Sequence, residues 1–173
     1  MVYAQYNHPY SATNQDGAIA NDYASPLLIF SKSAMSPAAY ASRQRIAGTG
    51  GFYTIGRAQF AAMFTDVRYD YLDNSHLHLQ NLGVNVVYTM TPQLFLGAAY
   101  AFTNGKYDVI DKRPKWHQVN LQADYFLSKR TDVALTVIAQ QAAGDADHAQ
   151  IFAYARSTGT RQMMATLGVR HVF

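Results

Sequence analysis

The sequence has no cysteine, so neither a disulfide framework nor a thiolate metal site is available to it. Charge is scarce: 14% of residues are Asp, Glu, Lys or Arg, where a soluble domain carries about a quarter. The net charge of +3 is small, and its Lys and Arg are scattered. A nucleic-acid surface needs them clustered, so that class of partner is excluded. Met1-Val2-Tyr3-Ala4-Gln5-Tyr6 lacks a basic and then apolar leader, so no export signal is visible; a processed or shortened chain is expected. Leu79 to Gly105 carries no charge, yet Thr91-Pro92-Gln93 breaks it and small or polar residues recur at every second position. Two strands and a turn fit this stretch better than a spanning helix.

What is abundant is apolar and aromatic: 49% hydrophobic residues, thirteen Tyr and nine Phe. Such a surplus suits two interfacial aromatic belts. The spacing is two. Leu82, Val84, Val86, Tyr88 and Met90 form an apolar file, with Asn81, Gly83, Asn85, Val87 and Thr89 between. Leu94, Leu96, Ala98, Tyr100 and Phe102 repeat it after the turn. Val119, Leu121, Ala123, Tyr125 and Leu127 alternate with Gln118, Asn120, Gln122, Asp124 and Ser128. Val133, Leu135, Val137 and Ala139 form another file, and Ala58, Phe60, Ala62 and Phe64 an earlier one. In a soluble sandwich the polar file would face bulk water and be rich in Lys and Glu. Here it is mostly amides and small side chains.

The last segment, Met163 to Phe173, alternates in the same way and finishes on an aromatic carboxylate. Soluble domains usually fray into polar termini, whereas the closing strand of an outer-membrane barrel places an aromatic in the girdle. With a weaker strand over Val2 to His8 and a glycine-rich one over Arg43 to Tyr53, about eight strands are expected. Their connections alternate: long (11–42), short (54–56), longer (71–75), short (91–93), longer (109–114), short (129–131) and long (145–161). That is the alternation of short periplasmic turns and longer outer loops. The expected fold is all-β, an antiparallel up-and-down transmembrane barrel or half of one, in a single domain over 1–173. Residues 11–42 are the least legible, and Leu27-Leu28-Ile29-Phe30 is expected inside the barrel, across its mouth or against a neighbouring subunit.

Asn81-Leu82-Gly83-Val84 with Tyr88, Tyr125-Phe126-Leu127-Ser128-Lys129-Arg130-Thr131 and Gly168-Val169-Arg170-His171-Val172-Phe173 resemble the general porins of Gram-negative bacteria, in their betaproteobacterial form. The resemblance is to the C-terminal half. It implies a sixteen-stranded barrel of the cell outer membrane, assembled as a homotrimer, through which small polar solutes diffuse passively. It implies no cofactor and no metal. Leu167, Val169 and Phe173 would be read by the barrel-assembly machinery. The inward constriction loop of such porins has no counterpart in the sequence.

Candidate chemistry is otherwise sparse. No nucleophile elbow or phosphate-binding loop is present, and no acid, base and nucleophile cluster, so an enzyme is not expected. His76-x-His78 puts two imidazoles on one strand face, and Asp145-x-Asp147-His148 offers carboxylates, but a polar rim and a solvated loop are the favoured readings. Lys112-Arg113-Pro114-Lys115 is a candidate contact for lipopolysaccharide phosphates, with outer-membrane lipid around it. Arg45, Arg57, Asn85, Gln118, Asn120, Gln122, Asp124 and Arg170 are the expected pore-lining set, since polar side chains along a pore set its field. The alternative is a small closed eight-stranded barrel with a structural or adhesion role, its polar file packed inside. Large interlocking charges would be needed there, and Gly, Ala, Thr and amides are found instead.

Overall fold

Period-2 alternation is realised as eight strands in a computed structural model of the chain. The structure describes residues 1–9, 11, 13–18, 30, 32–36, 38–151 and 154–173. The strands are β1 (Val2–Asn7), β2 (Ala41–Ile55), β3 (Ala58–Tyr71), β4 (His76–Thr89), β5 (Leu94–Tyr107), β6 (Pro114–Ser128), β7 (Thr131–Gly144) and β8 (Arg161–His171). Each pairs antiparallel with its sequence neighbour, giving one sheet in the order β1 to β8. β1 and β8 are its two edges and are not paired with each other.

Register sorts the side chains into two faces, because directly opposed residues share a side. The ladder Phe60↔Val86, Val86↔Ala98, Ala98↔Leu121, Leu121↔Val137 and Val137↔Ala165 crosses the outward face from β3 to β8. Over Ala58–Phe64, Leu82–Tyr88, Leu94–Phe102, Val119–Tyr125, Val133–Ala139 and Met163–Val169, no outward residue is charged. From Leu94 to Phe102 is eight steps, about 27 Å of strand at ~3.4 Å each. At a tilt of about 40° this is roughly 20 Å of height, near the ~25 Å apolar belt of an outer-membrane barrel. Leu121 is 51% exposed, Leu167 73% and Val169 70%, far too much contiguous apolar surface for water.

The short turns gather at one end of the strands. Gly56 and Arg57 join β2 to β3, with Gly56 at φ 56°, where a side chain would be strained. At the other end lie the loops over 8–40, 72–75, 108–113 and 145–160. There the inner face carries the core: Val67, Tyr69, Tyr71, Leu77 and Leu79 from the strands, with Ala18 and Phe30 from the first loop. Tyr71 Oη donates to the Phe30 carbonyl at 2.9 Å, and the Ser33 and Ser75 hydroxyls are 2.8 Å apart. Ala18, Phe30 and Ser33 of the first loop are therefore held against the inner face at the outer end. Of the apolar run Leu27 to Phe30, Phe30 packs inside the mouth; Leu27, Leu28 and Ile29 lie outside the described residues.

Candidate functional site

β6 projects Trp116, Gln118, Asn120, Gln122 and Asp124 inward because Val119, Leu121 and Ala123 must take the lipid side. Opposite them across the ladders stand Ala101, Ala99 and Gly97 of β5, and Gln140, Ile138 and Thr136 of β7. Asn85 faces Ala99 and Ala61 on the same side. Small residues thus alternate laterally with amides, leaving the wall uncluttered.

The amides are linked. Gln118 Nε2 donates to Asn120 Oδ1 at 3.0 Å, and Gln140 Nε2 donates to Gln118 Oε1 at 2.9 Å. Asn81 Nδ2 donates to Thr65 Oγ1 at 3.0 Å and its Oδ1 accepts from Thr103 Oγ1 at 2.8 Å. Such links fix side-chain orientation at the wall. Towards the short-turn end, Arg170 Nε meets Asp132 Oδ1 at 2.7 Å, with Asp124 beside them.

The last loop also folds inward. Gln150 N donates to Gln140 Oε1 at 2.6 Å, Ile151 N to Gln162 Oε1 at 2.7 Å, and Trp116 Nε1 to the His148 carbonyl at 3.1 Å. Ala149 and Ile151 are buried as a result. Burial also holds His148 below its ordinary value, helped by the Arg156 charge and opposed by Asp147. Between this loop, the first loop and the wall lies a cavity of about 280 Å³.

Asn85, Gln118, Asn120, Gln122, Asp124 and Arg170 therefore share one face. Arg45 does not. It stands opposite Gln5 and Arg68, on the face of Phe60 and Leu82, above the apolar belt. The reason is that the outward file of β2 is apolar only at its short-turn end, at Tyr53 and Ile55: Ala47, Thr49 and Gly51 precede them outward, while Ile46 and Phe52 face in. Arg57 is in the β2–β3 turn, its Nη1 donating to the Met90 carbonyl at 3.2 Å, rather than on the wall. The additional wall residues Asn81, Thr103, Trp116 and Gln140 follow from the same parity: Asn81 is two steps of two from Asn85, and Trp116 one from Gln118.

Above the belt the outward face becomes charged. Arg45 Nη2 lies 3.1 and 3.0 Å from the two Asp70 oxygens, and Asp70 also meets His76 Nδ1 at 2.9 Å. His78 pairs with Asp66, which Arg68 joins at 3.2 Å. The two imidazoles thus take different carboxylates, and no group of three metal-ligating side chains occurs among the described residues. Asp145 accepts from the Arg113 amide at 2.7 Å, while His148 turns inward, so Asp145 and His148 are not gathered at one site.

The family model described as Gram-negative porin matches residues 2–145. The chain belongs to the Gram-negative porin family. Its place is the cell outer membrane, where the uncharged belt is the lipid-facing surface of the porin wall. Similar solved structures agree in fold. In-vitro folded OmpT, an outer membrane protein of Vibrio cholerae, is 15% identical with a TM-score of 0.62, over 76% of this chain and 42% of that one. Outer-membrane expressed OmpT of the same organism gives 14% and 0.63 over the same shares. Its loop L8 deletion mutant gives 16% and 0.59, over 76% and 39%. This porin sequence spans about two fifths of the length of those barrels. No curated protein matches it.

Proposed function

We propose that this porin chain forms the wall of a passive, non-enzymatic diffusion pore for small hydrophilic solutes and ions. The observation that supports the reading is the inner file of Asn85, Gln118, Asn120 and Gln122 among Gly97, Ala99 and Ala101, backed by an uncharged outward belt. Amides and small residues hydrate a lumen without binding ions tightly, which diffusion requires. A narrow, plugged eight-stranded barrel would need large side chains where these small ones stand. An open sheet cannot persist in lipid, because the edges β1 and β8 leave backbone groups without partners. Further strands therefore complete the wall, as half of a sixteen-stranded barrel in a single porin-type domain, with homotrimers as the assembled state.

On the same reading, Leu167 and Val169 on the outward file of β8, with Phe173 just past its end, form the assembly signal. Lipopolysaccharide phosphates meet the Lys112-Arg113-Pro114-Lys115 stretch at the loop end of β6, with Lys106 beside it on the outward face of β5. The test is single-channel recording in planar bilayers of the refolded chain, whose copies must associate to complete the wall, with Gln122→Glu as the variant. Discrete conductance steps and a shift towards cation preference in the variant are expected. A silent bilayer from heat-modifiable, folded protein overturns the reading.

A further inference from the structure

Phe30, His148 and Gln150 of the loops border, with the wall, a half-open chamber whose lining has a definite chemistry. Phe30 and Trp116 form an aromatic corner, with ring centroids 6.3 Å apart in an edge-to-face arrangement. Asn81, Thr103, Gln118 and Gln140 supply the polar groups. Among the described lining residues, the one ionisable side chain is His148. Its charged form is disfavoured by burial, so at neutral pH the chamber holds no formal charge.

The amides are already positioned. Each of Asn81, Gln118 and Gln140 uses one amide N–H in the ladders described above and keeps a second for a guest. The Asn81 and Gln118 carbonyls each accept one bond from a neighbour and retain a further lone pair. Fixed donors and acceptors beside an aromatic surface match a ring that is apolar on its faces and hydroxylated around its edge. A volume of about 280 Å³ suits a single six-membered sugar ring, and lies just below the ~300–1,000 Å³ typical of drug-sized ligand sites. An ion would gain no counter-charge there and would lose its hydration.

We infer that this chamber is a binding subsite for neutral polyhydroxylated solutes of monosaccharide size, held between the Phe30–Trp116 corner and the Asn81, Gln118 and Gln140 amides. It deepens the porin reading and rests on it for its role, which is to retain one solute class at the outer mouth. Binding itself needs only the fold.

Trp116 is the one tryptophan of the chain, so intrinsic fluorescence of the refolded protein reports on the chamber directly. The protein is titrated with glucose, and with gluconate as a charged analogue of similar size. A saturable glucose response is expected, with gluconate weaker by about tenfold or more because its carboxylate would be buried without a partner. Gln118→Met is expected to weaken glucose about two- to tenfold, the net worth of one hydrogen bond. If that variant fails to fold, the two-ligand comparison on the unaltered protein decides alone. A non-saturable glucose response, or equal affinity for gluconate, overturns the subsite. Protein that titrates but never conducts overturns the pore and keeps the subsite; protein that conducts but does not titrate does the reverse.

Discussion

Asp132 and Arg170 face each other across the last hairpin, on the inner side of the wall, with Asp132 Oδ1 2.7 Å from Arg170 Nε. The carboxylate side chain is 9% exposed and the guanidinium 65%, so the anion is sunk into the wall while the cation reaches towards the lumen. Removing the cation would leave Asp132 buried beside Asp124 with no compensating charge. Arg170→Gln is expected to lower the temperature at which the folded form converts on SDS gels and to move ion preference towards cations. Exchanging the pair, Asp132→Arg with Arg170→Asp, should recover part of the heat resistance. Unchanged heat resistance in Arg170→Gln would show that the pair does not hold the hairpin.

The two files of β6 should respond oppositely to charge. Leu121→Arg puts a cation in the centre of the lipid-facing belt, at a cost of about 2–4 kcal/mol for a midplane position. Gln122→Arg, one residue on, points to the inner side and should cost little. Urea unfolding in lipid vesicles compares them. Similar losses for both would be incompatible with the assignment of faces.

Acid should loosen the last loop. Burial keeps His148 below its usual value, so the docked loop binds a proton less readily than the released loop. Docking is then at full strength above the free imidazole value of about 6.5 and weakens as pH falls below it. Limited proteolysis within 145–160 should be faster at pH 5 than at pH 7.5. In His148→Gln the two rates should converge.

Gly144 closes β7 at φ 62°, and a Cβ built there would sit 2.4 Å from the Arg113 carbonyl oxygen. Both the backbone angle and the close approach require glycine. Gly144→Ala should cost about 1–3 kcal/mol, the range for a strained backbone position, and should loosen the top of the β6–β7 pair. Urea titration in vesicles reads the loss, and an unchanged midpoint would mean the strands separate there freely.

The strands were legible where lipid imposes a rule. Leu82 to Tyr88, Leu94 to Phe102 and Val119 to Tyr125 must be apolar on one side, so counting by twos puts Asn85, Asn120, Gln122 and Asp124 on the opposite face, as the strand register does. Arg45 was not legible, because β2 replaces the apolar file with Ala47, Thr49 and Gly51 and only pairing to β3 fixes its side. Arg57 lies in the turn rather than on the wall because β2 continues to Ile55 and β3 begins only at Ala58. The chamber was invisible to periodicity. Its walls come from strand positions, but its closure depends on Phe30 and His148 in loops, where neither spacing nor propensity fixes a direction.

Neighbouring residues of β6 face opposite sides of the sheet in turn. A chain without cysteine allows this to be read residue by residue. Single cysteines at Gln118, Val119, Asn120, Leu121 and Gln122 in vesicle-reconstituted protein would be treated with a charged, membrane-impermeant thiol reagent. The account predicts fast labelling at 118, 120 and 122 and protection at 119 and 121. Equal labelling along the strand, or the opposite alternation, would contradict it.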